Sequence, residues 1–241
     1  THVWPVFHAT QFTFLSLLMG NTILVKPSEK TTLSLVQWVR GFLDENDLSE
    51  MSLAHAVQVL VGEKEFSRRL VCHDQVNAVI YTGSYEVGIR IKQDTLPQTQ
   101  KETLLFLGAK NASIVCEDYP PEALDTLMGD AFISAGQHCK SVSVIFVHES
   151  QWAPWLAAFH EKAKQFKIGS LEADAWMGPL LDDSMVDRYL KFCGISEREG
   201  AEVIMRGKVL VQGKKANFVT PTIVAFDSLS ADQFKKSVSL Q

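Results

Sequence analysis

Cys139 is the residue in this sequence best placed to act as a nucleophile. It stands in Phe132-Ile133-Ser134-Ala135-Gly136-Gln137-His138-Cys139, with His138 before it and Lys140 after it. Neighbouring cations favour thiolate over thiol, and the thiolate is the form that attacks. The same position also suits a small buried residue, since free cysteine is among the most buried types.

A second group of polar residues offers binding chemistry. Lys26 and Glu29, with Ser28 between them, pair a cation with an acid that can hold the hydroxyls of a ribose; a surface ion pair accounts for them equally. Gly83-Ser84, with Gly88 four residues further on, reads as a strand-to-helix turn. There a glycine admits close backbone approach, and the orphan N–H groups of a helix start favour phosphate. An ordinary capped turn has the same spacing.

These residues need elements to hold them. Leu124, Leu127, Met128, Ala131 and Phe132 recur at three- and four-residue spacing, which predicts a helix. Pro120-Pro121 mark its start, Glu122 and Asp125 its acidic first turn, and Gly136 its stop. Val142–Val147 follows as a strand, so Cys139 falls on the loop between the two. Upstream, Phe7–Met19 is apolar and closes on Gly20-Asn21. Strands are expected at 22–25, 56–61 and 77–81, separated by helical patterns over 33–43, 63–70 and 87–91. Alternation of this kind predicts βαβ units and a doubly wound parallel sheet. Ligands of such sheets sit off the carboxyl ends of the strands, where Lys26 and Ser84 both fall. Further on, Trp152, Leu156, Phe159, Ala163 and Phe166 form one helical stripe and Met185, Tyr189 and Phe192 another. Strands are expected at 203–205, 209–212 and 218–224.

Composition narrows the partners. The chain has 241 residues, 46% of them hydrophobic and 21% charged, with a net charge of −5. That balance, with no basic stripe, argues against nucleic acid. No apolar run approaches the ~20 residues of a membrane span. Cys72, Cys116, Cys139 and Cys193 are widely spaced without a CxxC pair, and the seven histidines lack metal-ligand spacing, so no metal is assigned. A reducing, cytoplasmic setting fits. Thr1 is no initiator methionine, and an incomplete middle portion of a longer protein is expected.

Taken together, Gly20-Asn21-Thr22, Lys26-Pro27-Ser28-Glu29, Tyr81-Thr82-Gly83-Ser84, Leu107-Gly108-Ala109-Lys110-Asn111 and Gly136-Gln137-His138-Cys139 resemble, in order and spacing, the aldehyde dehydrogenase superfamily. Gly178-Pro179, Glu199-Gly200-Ala201 and Phe218-Val219 with Pro221-Thr222 extend the likeness over nearly the whole chain. Within the superfamily, Ala131–Gln137 is most similar to the succinylglutamate semialdehyde dehydrogenase branch. The resemblance implies an α/β fold with a partial dinucleotide-binding domain over 1–107 and a partial catalytic domain over 108–241. It implies NAD or NADP as cofactor, a small aldehyde as substrate, and assembly as a homodimer or larger homo-oligomer. Lys26 and Glu29 match the adenosine-ribose contacts, Ser84 the pyrophosphate contact, Val87 a wall of the adenine pocket, and Cys139 the nucleophile. In the family, the cysteine adds to the aldehyde, hydride passes to nicotinamide, and water cleaves the resulting thioester.

Three departures bear on activity. The family's glutamate base, just before Leu-Gly-Gly, is Phe106 here. Its oxyanion-holding asparagine aligns with Val3. Lys140 and Ser141 replace small residues after the nucleophile. A base contributes ~10²–10⁴ in rate and an oxyanion donor ~10²–10³. The two losses together correspond to about 5–10 kcal/mol of transition-state stabilisation. Glu102, Glu117 and His138 are substitute bases that match no family position. Transfer of the thioester to a thiol cofactor would dispense with the base, though not with the oxyanion donor. The expected function is therefore impaired aldehyde or semialdehyde oxidation. The alternatives are a silent member kept for assembly or cofactor binding, and a cysteine acyl-transfer enzyme without nicotinamide. The chain stops at Gln241, just short of where the family's Glu-x-Phe-Gly-Pro element is expected.

Overall fold

The computed structural model describes residues 4–45, 53–108, 110–170, 174–212 and 215–226. The chain divides into two compact units, one up to Gly108 and one after it.

In the first unit, helix α1 (Pro5–Leu18) leads into strand β1 (Ile23–Val25), helix α2 (Thr32–Glu45), a short helix α3 (Leu53–Ala56) and strand β2 (Val57–Val59). Helix α4 (Lys64–Val71), strand β3 (Ala78–Gly83), helix α5 (Tyr85–Thr95) and strand β4 (Glu102–Leu107) complete it. Proline at the first position of α1 needs no N–H partner there. β1 pairs with β2 and β3 with β4, each in parallel, as βαβ units require; among the described residues the two pairs are separate two-stranded sheets, where the alternating pattern predicts one doubly wound sheet. Three differences from the sequence expectation bear on the site. The second strand is shorter, because Ala56 ends α3 and Val61 is exposed. The third strand runs on through Thr82 and Gly83, which ladder with Phe106 and Leu107. The helix after it begins at Tyr85 rather than Val87.

The second unit begins with strand β5 (Asn111–Val115), helix α6 (Ala123–Phe132) and strand β6 (Val142–Val147), the two strands parallel. Helices α7 (Trp152–Lys164) and α8 (Asp183–Arg198) follow, then strands β7 (Glu202–Met205), β8 (Val209–Gln212), β9 (Lys215–Val219) and β10 (Ile223–Ala225). Its main core joins Val115 of β5 to Leu124 and Met128 of α6 and to Trp155, Phe159 and Ala163 of α7. Of the expected α7 stripe, Phe159 and Ala163 are buried and Phe166 packs beside them, and Trp155 joins them. Trp155, at i, i+4 and i+8 with Phe159 and Ala163, is buried, whereas Trp152 and Leu156 lie on its flank. The Trp155 and Phe159 rings stack at 4.7 Å. Full burial of such side chains contributes about 1.5–3 kcal/mol each. The expected strand over 218–224 is two strands. Pro221 cannot donate to a ladder, so the chain breaks there, β9 pairing with β8 and β10 with β7.

Candidate active site

The Cys139 loop is built by bonds within it and by bonds from outside it. α6 ends at Phe132 and the chain enters a tight turn, Ile133–Gly136. Ser134 (φ 52°), Ala135 (φ 56°) and Gly136 (φ 72°) are consecutively left-handed. For non-glycine residues this costs about 1–2 kcal/mol each, so Ser134 and Ala135 must be held by their surroundings. Gly136 was expected to stop the helix; the helix stops four residues earlier, and Gly136 is the last of the left-handed run.

The restraints are side-chain amides. Gln137 Nε2 donates to the Ser134 carbonyl (2.9 Å) and the Pro179 carbonyl (3.4 Å), while Gln137 Oε1 accepts the N–H of Leu181 (3.0 Å). Asn111 Nδ2, from the first residue of β5, donates to the carbonyls of Cys139 (2.8 Å) and Ser141 (3.2 Å). The parallel register that sets Asn111 opposite Val142 brings it there. Cys139 itself is exposed on the turn before β6, in keeping with a reactive sulfur rather than a buried structural one.

His138 behaves differently from its expectation as a flanking cation. It is only 6% exposed. Burial first, and the Lys140 charge second, push its pKa below the ordinary 6.5. It is therefore neutral at pH 7, and its Nδ1 accepts the Lys140 N–H (3.2 Å). Lys140, exposed, is left as the flanking cation. Nearby, Lys110 is half-buried with its ammonium 4.7 Å above the Phe192 ring. Burial, then Arg188, lowers its pKa. Sequence reading gave Asn111 and Gln137 no role beyond motif membership and gave Lys110 none. The signal for Asn111 was its place at the head of a strand parallel to the one after Cys139.

In the first unit, Gly83 closes β3 and Ser84 stands in extended backbone at the start of α5, with its carbonyl accepting the Gly88 N–H (3.1 Å). Gly88 packs against Leu107, and a Cβ there would overlap that side chain. The helix start is thus brought close to the end of the sheet, the arrangement that lets a phosphate approach helix N–H groups. Tyr81 is an addition. Its hydroxyl lies over Gly83, where any Cβ would collide with it. Burial raises its pKa, opposed by hydrogen bonds from the Ser84 side chain and backbone. Val87 is exposed on the first turn of α5. Off the end of β1, Lys26 and Glu29 form an ion pair at 3.7 Å, the surface pairing left open above. Ser28 accepts the Thr32 hydroxyl on its carbonyl (2.9 Å). One donor and one acceptor beside a strand end, and a glycine-bounded helix start beside another, suit the hydroxyls and phosphates of a dinucleotide. These six residues belong to the first unit and Cys139 to the second.

Phe106, at the position of the family base, is 52% exposed on β4, its ring centroid 5.3 Å from that of Phe12 on α1. It packs; it cannot take a proton. Glu102 begins β4, five residues before the strand's last and so roughly 16 Å away along it. Val3 lies outside the described residues.

Comparisons with known proteins identify the family. The sequence model of the aldehyde dehydrogenase family matches residues 4–232. Alpha-ketoglutaric semialdehyde dehydrogenase of Bacillus subtilis (strain 168) is 32% identical over 222 residues, covering 90% of this chain and 44% of the relative. Lactaldehyde dehydrogenase from Escherichia coli superposes with a TM-score of 0.83 at 26% identity, covering 91% of this chain and 45% of that one. The indole-3-acetaldehyde dehydrogenase of P. syringae, solved with NAD+ and IAA, shares the fold: TM-score 0.82, 23% identity, 92% of this chain and 44% of that one. The chain thus spans a little under half the length of the relatives it matches.

Proposed function

This chain belongs to the aldehyde dehydrogenase family, and from that membership we propose that it forms part of an NAD- or NADP-dependent enzyme oxidising a small aldehyde through Cys139. The observation carrying this reading is the exposed Cys139 on a loop pinned by the Asn111 and Gln137 amides. In this reading the second unit is a partial catalytic domain and the first a partial dinucleotide-binding domain. Lys26, Ser28 and Glu29 serve the ribose side of the cofactor; Gly83 and Ser84 serve the pyrophosphate, and Val87 the adenine. The nicotinamide, when bound, accepts the hydride.

The chain's own steps are as follows. The Cys139 thiolate adds to the aldehyde carbon, forming a C–S bond while the carbonyl oxygen becomes an alkoxide. Loss of hydride from that carbon leaves a thioester on Cys139. Hydrolysis then needs a base, and Phe106 offers none, so this step is slow. A semialdehyde is the substrate class favoured by the likeness to the succinylglutamate branch and by the semialdehyde in the Bacillus relative's name. A cytoplasmic setting and a homodimer or larger homo-oligomer belong to the same reading and rest on the family. Among the described residues no helix is long and apolar enough to cross a membrane.

The test is NAD(P)H formation with a panel of semialdehydes. Slow turnover that disappears in Cys139→Ser and rises in Phe106→Glu is the expected result. Turnover surviving Cys139→Ser overturns the assignment. The apolar packing of Phe106 on Phe12 favours a second reading, a catalytically silent member that binds cofactor only. Nucleotide binding with no reduction in either the native chain or Phe106→Glu would select it.

A further inference from the structure

We propose that Asn111 and Gln137 are positioning residues for Cys139, two amide clamps that hold a strained loop in the one conformation presenting the sulfur. The inference rests on Cys139 being the nucleophile and concerns residues that bond the backbone around it.

Left to local preference, Ile133–Ala135 would continue the α6 helix as far as Gly136, because Ala is the best helix former and Ser tolerates the right-handed region. The loop instead makes three successive left-handed steps. The turn is closed locally by the Gln137 N–H on the Ser134 carbonyl (3.1 Å), and side-chain amides add bonds that reach outside it. Gln137 uses both ends of its amide, donating to Ser134 and Pro179 and accepting from Leu181. The strip it grips is itself anchored to β9, with the Leu180 N–H on the Asn217 carbonyl (2.8 Å) and Asn217 Nδ2 on the Leu180 carbonyl (3.1 Å). Asn111 then fixes the far side of the loop by donating to the carbonyl of Cys139 itself. One clamp sets the left-handed turn and the other sets the backbone of the nucleophile. Release of either lets the loop relax towards helix and re-aims the Cys139 Cβ–Sγ bond.

The experiment needs neither aldehyde nor nucleotide. Limiting iodoacetamide alkylates the full chain between about pH 6 and pH 9, the thiolate displacing iodide, and mass spectrometry gives a rate for each cysteine. Exposed Cys116 is the internal reference, and half-buried Cys193 reports general loosening of the same unit. In Asn111→Ala, Asn111→Asp (isosteric, without the donor) and Gln137→Ala, the Cys139 rate relative to Cys116 falls about tenfold. The scale is that of a displaced reacting group, where ~1 Å costs up to ~10²-fold. In the two alanine variants the plateau falls while the pH midpoint stays, because the clamps touch carbonyls and not sulfur; the added carboxylate of Asn111→Asp moves its midpoint up as well, and Cys193 is unchanged. Phe159→Leu, which loosens the core and leaves the clamps intact, keeps the native ratio. If Asn111→Ala and Gln137→Ala fail to fold by circular dichroism, Gln137→Glu carries the test, since it keeps the acceptor towards Leu181 and loses the donor. A ratio within twofold of native in the folded variants overturns the clamp and leaves the nucleophile standing. So does a fall that Phe159→Leu reproduces together with faster Cys193 labelling. A native Cys139 that reacts no faster than Cys116 overturns the nucleophile reading and the clamp with it.

Discussion

The Ser84 turn of the first unit and the Cys139 loop of the second each present one polar side chain where a helix meets a parallel strand, and they do it by opposite means. The Ser84 turn obeys local rules. Its backbone is ordinary, its helix starts directly after the strand, and the demanding contacts are the close approaches of Gly88 to Leu107 and of Gly83 to the Tyr81 hydroxyl. The Cys139 loop breaks local rules, with two non-glycine residues left-handed and partners 28 to 44 residues away. The surroundings differ in the same sense. The second unit buries a contiguous cluster around Trp155 and Phe159. The buried apolar residues described in the first are Leu35, Val39 and Val57, while Leu104 and Phe106 of β4 are exposed. A strained loop can persist only where a well-packed core over-determines it. A locally satisfied turn needs no such support.

Four substitutions or conditions test that contrast, in descending size. Phe159→Ala empties the centre of the second core and should cost about 3–5 kcal/mol. In denaturant titration, the transition reported by the second unit moves to lower concentration and that of the first stays. A shift of both together would break the contrast. Gly136→Ala adds no clash beyond ordinary contact with the Ala131 carbonyl at 3.6 Å, yet it forces alanine to φ 72°. The expected loss is about 1–2 kcal/mol, read from the same transition. Gly88→Ala, in the locally built turn, sets overlap with the Leu107 side chain against a helix-propensity gain of about 0.5–1 kcal/mol. Because the end of a leucine side chain can rotate away, the net loss is about 1 kcal/mol or less, and truncation in Leu107→Ala/Gly88→Ala brings the gain out.

The smallest effect is a pH dependence confined to the Cys139 loop. The folded pKa of His138 lies below its ordinary 6.5, so the unfolded chain binds more protons between the two values. Stability is then fully present above about pH 6.5 and declines as pH falls below it. Thermal melts of the second unit should show that decline, and His138→Gln should flatten it. An unchanged slope would mean that this histidine takes up its proton as readily in the fold as in the unfolded chain.

The contrast also explains which features were legible beforehand. The βαβ alternation, the helix before Cys139 and the strand after it were legible because apolar spacing and turn residues are local. The Trp155 face was missed because the spacing of α7 fits two neighbouring stripes, and only the partner surface of α6 and β5 selects one. Tyr81 was missed because nothing local says that its ring will fold over Gly83. The break at Pro221 was written in the sequence, as a residue that cannot donate to a ladder, and was overlooked inside an apolar run.

By itself, then, the sequence determined the kinds of element, their order and the family, because each follows from residue type and spacing along the chain. Tertiary structure alone decided that Ser134 and Ala135 turn left-handed, that Asn111 reaches the carbonyl of Cys139, and that His138 is buried and neutral. Those outcomes depend on strand register and on contacts between residues far apart in the chain, and side-chain preference at any one position does not encode them.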